Sequence, residues 1–162
     1  MRMKIYIGSD HAGFILKEKI EEYLRGLNYE VEDKGAFIYD ENDDYPDFIT
    51  PVAEAVSIDK ESKGIILGGS GQAEAMCANR VAGIRTAVFY GPKEPVSTVD
   101  VSGRESNDTF EIIKLARMHN NANILSLGTR FVTEDEAKFA VELFLTTKFL
   151  GDERHQRRIN KF

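Results

Sequence analysis

A glycine loop followed by a glutamate is the segment of this 162-residue chain that most clearly suggests chemistry. An apolar run at 65–67 breaks into Gly-Gly-Ser-Gly at 68–71, and Glu74 follows three residues later. Backbone amides of such loops often converge on an anion. Because Glu74 would repel a permanently charged phosphate, we expect negative charge there only briefly, which predicts proton abstraction beside a carbonyl.

In this interpretation the loop amides and the Ser70 hydroxyl surround an oxygen, the geometry that stabilises an enediolate. Two simpler interpretations remain open at this point. A Gly-Gly-Ser-Gly sequence occurs in many turns, and a glutamate in the first turn of a helix, as predicted for Glu74, is favoured there by the helix dipole alone.

Short β-like runs alternate with longer helical patterns, as in the βαβ units of a parallel sheet. Apolar periodicity predicts helices between the strands, and the last helix begins at Thr133, whose capping box includes Glu136. The predicted strands cover residues 4–8, 30–33, 64–67, 86–90 and 123–127. The sequence therefore predicts an α/β fold.

Polar residues follow three of these strands: Gly-Ser-Asp-His at 8–11, the glycine loop at 68–71, and Gly-Thr-Arg at 128–130. In open α/β sheets, ligands bind beyond the carboxyl ends of the strands, so we expect these three ends to face one crevice. Asp10 has two compatible interpretations, catalysis or capping of a helix that starts near His11.

The chain has three histidines, His11, His119 and His155. Each alone is typical of a surface or capping position, but all three lie beside glycine turns or arginines. No pair has the short spacing of a zinc site, so we predict no metal. Arg154 and Arg158 would share a helical face suited to a phosphate, although charge alone favours a solvated basic end.

Composition limits the possible functions. A net charge of -6 and a pI near 5.2 argue against nucleic-acid binding. Cys77 is the only cysteine, which excludes an internal disulfide framework and indicates a reducing cytoplasm. We expect one domain over 1–162, with no export signal and no membrane span. The acidic loop at 40–44 is interpreted as solvated surface, because a metal site needs a better ordered oxygen cage.

Several motifs occur in a fixed order: GSDHAG at 8–13, DYP at 44–46, GGSG at 68–71 with Glu74, ANR at 78–80, GIR at 83–85, HN at 119–120 and RHQRR at 154–158. Together they closely resemble the B-type ribose-5-phosphate isomerase family, which includes isomerases of galactose 6-phosphate and allose 6-phosphate. The resemblance covers almost the entire chain. It implies a three-layer Rossmann-like sandwich with a five-stranded parallel sheet and a C-terminal helical basic tail. It also implies a homodimer, or a tetramer, with composite active sites and the tail at 149–162 packed on the partner.

The resemblance also implies roles for individual residues. Glu74 removes the C2 proton and returns it to C1, while Ser70 assists proton transfer between O1 and O2. Asp10 and His119 help to open the furanose ring. Substrate contacts are implied for His11, Tyr45, Gly69, Gly71, Asn120, Arg130, Arg154, His155 and Arg158; of these, His11 and the three arginines hold the phosphate.

The chain departs from the family pattern at two places. Some members carry a cysteine as the C2 base where this chain has Gly68, which leaves Glu74 as the base here. The connection at 91–108 is also longer than the family's usual link, and it is either a lid or a simple insertion. It bears on sugar size preference and on dimer packing more than on the chemistry.

We therefore predict reversible conversion of ribose 5-phosphate to ribulose 5-phosphate, without a metal or organic cofactor. The nearest alternative is isomerisation of a six-carbon sugar phosphate at the same site. A non-catalytic sugar-phosphate or nucleotide binding domain is another, because doubly wound folds host many functions. The combination of Glu74, Asp10 and His119 weighs against that last alternative.

Overall fold

The computed structural model describes residues 3–162, and its five strands form one sheet. The strands are β1 (Lys4–Ser9), β2 (Glu30–Asp33), β3 (Lys63–Gly68), β4 (Thr86–Phe89) and β5 (Ile124–Gly128). Their order is β2-β1-β3-β5-β4, and every pair is parallel. All five predicted strands are confirmed, with boundaries within about one residue.

Six helices among residues 3–162 surround the sheet. They are α1 (Phe14–Gly26), α2 (Pro46–Ile58), α3 (Gln72–Ala78), α4 (Glu111–Asn120), α5 (Glu134–Thr146) and α6 (Glu153–Ile159). The core divides into one cluster that includes α1, α4 and α5 and another that includes α2 and α3. The predicted three-layer α/β sandwich is confirmed, and the helical tail is α6. No helix within residues 3–162 is long and apolar enough to cross a membrane.

Side chains of the central strands alternate between the two layers of helices. Ile65 and Leu67 of β3 belong to the cluster with α1 and α5, whereas Ile66 belongs to the cluster with α2. Because helices cover both faces, the strand is a continuous apolar run rather than an alternating one. This burial fixes β3 and therefore the position of the glycine loop that follows it.

The predicted capping box at the start of α5 is confirmed. The Thr133 Oγ1 accepts a hydrogen bond from the Glu136 amide at 3.2 Å, and the Glu136 carboxylate accepts one from the Thr133 amide at 2.8 Å. Such a pair satisfies two amides that the helix cannot bond itself. It therefore fixes where α5 begins, shortly after the turn at 128–130.

The carboxyl ends of β1, β3 and β5 lie side by side. The register pairs Ser9 with Leu67 and Gly68 with Gly128. Thr129 joins the three ends, because its Oγ1 donates to the carbonyl of Ala12 at 2.9 Å and to that of Gly68 at 3.1 Å. The three strand ends therefore lie together at one edge of the sheet, as the predicted shared crevice requires.

Candidate active site

Glu74 lies in the first turn of α3 with only 4% of its surface exposed. Its carboxyl group lies over Gly68, so closely that a Cβ at residue 68 would coincide with it. The Oε2 atom has no hydrogen-bond partner in the described part of the chain. The absence of a side chain at Gly68 therefore makes room for a buried carboxylate with a free oxygen.

Burial raises the pKa of the Glu74 carboxyl above its ordinary value, and the negative charge of Asp10 raises this pKa further. The backbone amide of Glu74 offsets part of the effect. A raised pKa brings a carboxylate closer to the basicity that proton abstraction at neutral pH requires. The electrostatics therefore suit Glu74 to work as a general base.

The glycine loop supplies donors beside this carboxylate. Gly71 adopts a left-handed conformation with φ of 75°, and its carbonyl accepts a hydrogen bond from Ser126 Oγ at 2.7 Å. The amides of Gly69, Ser70 and Gly71 donate to no acceptor within residues 3–162. They remain available to an oxygen anion, as the predicted enediolate requires.

Asp10 is buried where β1 leads into α1. Its Oδ1 accepts hydrogen bonds from the amides of Ala12 at 3.0 Å and Gly13 at 3.3 Å. These bonds hold a turn over 11–13, so that α1 begins at Phe14 instead of near His11 as predicted. The carboxylate thus organises the helix entry and also contributes negative charge at Glu74.

His11 is paired with Asp43, a residue that the sequence analysis missed. The Asp43 Oδ1 accepts from the His11 amide at 3.1 Å and from the ring Nδ1 at 2.6 Å. The Asp43 side chain is only 8% exposed. The interpretation of 40–44 as solvated surface is therefore wrong at this residue, because two donors of His11 draw the carboxylate inward. Its position within the acidic run next to the DYP motif was the only sequence signal.

Arg130 lies beside the glycine loop that precedes Glu74. Its guanidinium lies against Gly69, where an added Cβ would be 3.1 Å from Cζ, and its amide donates to the Gly69 carbonyl at 3.1 Å. Gly69 therefore leaves room for the arginine. Tyr45 instead precedes α2 and packs, half-buried, against the smaller apolar cluster.

In the part of the chain that the structure describes, two sets of side chains bring possible metal-ligand atoms within 4.8 Å of one another, Asp10-His11-Asp43 and Glu18-Glu21-Asp33. In the first set, a hydrogen bond already joins the imidazole to a carboxylate. In the second, the buried Lys17 ammonium bonds two of the carboxylates, at 2.6 and 2.5 Å. Both sets are explained by hydrogen bonds and ion pairs between protein groups.

A second group, which we call the tail cluster, contains His119 of α4 and three residues of α6. The rings of His119 and His155 are stacked, with centroids 4.2 Å apart. Burial lowers the pKa of His119, and the neighbouring His155 lowers it further. These two residues, with Arg154 and Arg158, border a cavity of about 450 Å³. Asn120 follows His119 at the exposed end of α4, where its carbonyl accepts from Arg85 Nε at 3.0 Å.

The long connection at 91–108 forms one wall of this cavity through residues 98–102. The segment is folded: Asp100 accepts hydrogen bonds from Ser102 and Arg104, and Arg104 donates to Glu111 at 2.6 Å. Glu111 is buried in the first turn of α4. The connection is therefore a folded segment attached to the helix that carries His119.

The two groups lie at opposite edges of the sheet. Glu74 and Arg130 follow the carboxyl ends of β3 and β5, whereas His119 precedes the amino end of β5. The five residues of β5 separate these edges by roughly 13 Å. Within one chain the structure thus brings Asp10, His11, Ser70, Glu74 and Arg130 to one edge and leaves the tail cluster at the other.

Comparison with known proteins agrees with the family resemblance of the motifs. The sequence profile of the ribose/galactose isomerase family matches residues 5–102 and 105–162. Ribose-5-phosphate isomerase B of Mycolicibacterium paratuberculosis is 40% identical over 158 residues, which are 98% of this chain and 88% of that protein.

Solved structures are similar along the whole chain. A ribose 5-phosphate isomerase from Thermotoga maritima has a TM-score of 0.83 at 40% identity, covering 99% of this chain and 97% of that one. Ribose-5-phosphate isomerase B from Mycoplasma genitalium, with bound ribulose-5-phosphate, has a TM-score of 0.85 at 38% identity, covering 99% and 94%. The chain belongs to the ribose/galactose isomerase family.

Proposed function

We propose that this protein catalyses the reversible isomerisation of ribose 5-phosphate to ribulose 5-phosphate. The observation that carries the proposal is the buried Glu74 carboxylate, held over Gly68 with one oxygen free. Relatives named ribose-5-phosphate isomerase B, one of them solved with ribulose-5-phosphate, favour this five-carbon substrate over a six-carbon one. The named relatives and the Glu74 geometry both weigh against a non-catalytic binding domain.

In the proposed reaction the Glu74 carboxylate takes the proton from C2 of the open aldose. The electrons of the broken C–H bond form the C1–C2 double bond, and the carbonyl oxygen O1 becomes the enediolate oxygen. The free amides at 69–71 stabilise this charge, while Ser70 moves a proton between O1 and O2. Glu74 then returns its proton to C1. A general base contributes typically ~10²–10⁴-fold and an oxyanion donor ~10²–10³-fold, so both are needed.

Ring opening and phosphate binding are assigned to the remaining polar residues. Asp10 and His119 open the furanose ring, and burial favours the neutral imidazole at His119 that can accept a proton. Asn120 contacts sugar oxygens. The phosphate is held by His11, Arg130, Arg154 and Arg158, and we assign no metal or organic cofactor.

We further propose that each active site forms between two copies of the chain. The tail cluster and the Glu74 group lie at opposite edges of one sheet, so a single sugar phosphate can contact both only if a second copy supplies one of them. A twofold dimer satisfies this requirement twice, with α6 of each copy placed against its partner. Cys77, a lone and partly buried thiol, is compatible with the reducing cytoplasm in which we place the protein.

Mixing two inactive variants tests the composite site. Glu74→Gln and His119→Ala each disable one half of every site. After subunit exchange, a mixed dimer has one intact site, so an equal mixture should recover about a quarter of the wild-type activity. A mixture of Glu74→Gln with Asp10→Asn, both in the same half, should recover none. Absence of recovery in the first mixture, with exchange verified by mass spectrometry, would place the whole site in one chain.

A substrate panel tests the five-carbon assignment. We expect kcat/KM for ribose 5-phosphate to exceed the values for allose 6-phosphate and galactose 6-phosphate by about tenfold or more, because an extra carbon in a fitted pocket typically costs ~1–3 kcal/mol. Coupled assays with each sugar phosphate measure the ratio. Equal or higher kcat/KM for a six-carbon substrate would reverse the assignment.

The role of the tail arginines is tested with Arg154→Ala. Arg154 borders the cavity beside His119, and loss of a charge-assisted bond to phosphate should raise KM by about tenfold while kcat changes little. Arg157→Ala is the matched control, because Arg157 is an exposed arginine of the same helix outside the cavity. If both variants keep the wild-type KM, the tail is only a solvated basic end.

A further inference from the structure

The contact between Asp43 and His11 has the geometry of an orienting pair. A single carboxylate oxygen, Oδ1, accepts both the His11 amide at 3.1 Å and the ring Nδ1 at 2.6 Å. The first bond fixes the backbone and the second fixes the ring, although the residues are 32 positions apart. The Asp43 side chain is more than nine-tenths buried, whereas His11 keeps 29% of its side chain exposed.

Because Nδ1 donates to the carboxylate, the opposite ring nitrogen is the one directed away from this pair. Nε2 of His11 has no hydrogen-bond partner within residues 3–162. Asp43 Oδ2 is also buried and has no hydrogen-bond partner in the described part of the chain, so His11 supplies every hydrogen bond that this carboxylate accepts there. A doubly protonated imidazole balances the charge of a buried carboxylate, and a neutral one would leave it uncompensated.

We propose that Asp43 is a positioning residue that keeps His11 in its charged form, with Nε2–H presented as a donor to an anionic group of the substrate. The inference rests on the proposed function only in naming that group as the sugar phosphate. The proposal gives Asp43, one residue of the acidic loop at 40–44, a role other than solvation. Asp43 does not itself contact the substrate.

The groups around His11 shift its pKa in opposite directions. The hydrogen bond to Asp43 raises the pKa of His11, and Asp10, whose Oδ2 lies 4.0 Å from Nδ1, raises it further. Burial and the Arg130 guanidinium lower it, and the net direction is upward. The Tyr39 ring meets the imidazole edge-on at 6.4 Å and adds no charge. Removing the Asp43 charge should therefore lower the pKa of His11.

The test is Asp43→Asn, which keeps an oxygen able to accept from His11 but removes the charge. Glu41→Gln is the control, because it removes the same charge from an exposed residue of the same loop. KM for ribose 5-phosphate is compared at pH 6 and pH 8. Because the pKa of His11 should be lower in Asp43→Asn than in wild type, the variant should lose the imidazolium charge first as pH rises. We therefore expect the KM of the variant, relative to wild type, to be about tenfold higher at pH 8 and to differ by about twofold or less at pH 6. Expressing each value relative to wild type cancels the titration of the substrate phosphate.

Two readouts separate this inference from the proposed function. Nitrogen-15 spectra of the three histidines, assigned with His11→Asn, follow His11 protonation without any turnover, and inorganic phosphate is the binding probe in the same titration. We expect the His11 midpoint to fall in Asp43→Asn and to be unchanged in Glu41→Gln. An unchanged midpoint, or an equal KM ratio at both pH values, overturns the inference. A wild-type protein inactive on every sugar phosphate refutes the proposed function, while the histidine titration still decides the role of Asp43.

Discussion

Replacing Glu74 by Gln is expected to lower kcat by about 10²–10⁴-fold, while the affinity for ribose 5-phosphate changes little. Glutamine has nearly the same shape and fills the same space over Gly68, but it cannot accept a proton from C2. It also removes no group assigned to the phosphate. Steady-state kinetics give kcat, and calorimetric titration of the variant gives the affinity. Near-normal turnover would remove Glu74 as the base.

The pH dependence of kcat/KM for the wild-type enzyme should reflect the titration of Glu74. Glu74 works in its ionised form, so kcat/KM rises with pH through its pKa, which burial and Asp10 place above the ordinary glutamate value. Asp10→Asn removes the negative neighbour and should move this acidic limb to lower pH, whatever its effect on the maximum rate. If the acidic side of the kcat/KM profile stays at the same pH in Asp10→Asn, then Asp10 does not raise the pKa of the catalytic group, which would contradict this account.

Gly68→Ala is expected to reduce kcat by about 10²–10⁴-fold, comparable to loss of the base itself. The new methyl group would coincide with the Glu74 carboxyl, which must move aside. A base displaced from its position no longer aligns with the C2 proton, although its chemistry is intact. The measurement is kcat for ribose 5-phosphate, with circular dichroism to verify the fold.

A control variant and a double variant show whether Gly68→Ala acts through Glu74. Gly26→Ala is the matched control, because a Cβ at that position meets nothing within 4 Å, and it should leave kcat unchanged. In a Glu74→Gln background, Gly68→Ala should cause little further loss, since both changes disable the same group. Independent, multiplicative losses would show that Gly68 acts through something other than Glu74.

The strand pattern was predictable from the sequence because it depends on local signals. Strands buried on both faces require continuous apolar runs such as the one at 65–67, and the loop after them must be polar to bind a ligand. The family resemblance implies that Glu74 is the base, and this role stays a prediction, but the structure explains how its carboxyl group fits there. The carboxyl group occupies the space that a side chain at Gly68 would fill.

Long-range pairings were not predictable in the same way. Asp43 belongs to a run of acidic residues that looks solvated, and only the fold brings it to His11. The resemblance assigns His119 and Glu74 to one active site, but the parallel strands separate them within one chain, because His119 precedes the amino end of β5 whereas Glu74 follows the carboxyl end of β3. The contact of 98–102 with the tail cluster also depends on tertiary structure, through the attachment of Arg104 to α4.

The fate of the hydrogen on C2 tests the central claim most directly. Ribose 5-phosphate deuterated at C2 is incubated with wild-type enzyme or with Glu74→Gln in ordinary water, and label at C2 and C1 is followed by nuclear magnetic resonance. If Glu74 carries the proton, the wild type loses deuterium to solvent or transfers it to C1. The Glu74→Gln variant should bind the sugar and leave the label at C2. Loss of deuterium at the wild-type rate in that variant would contradict the account.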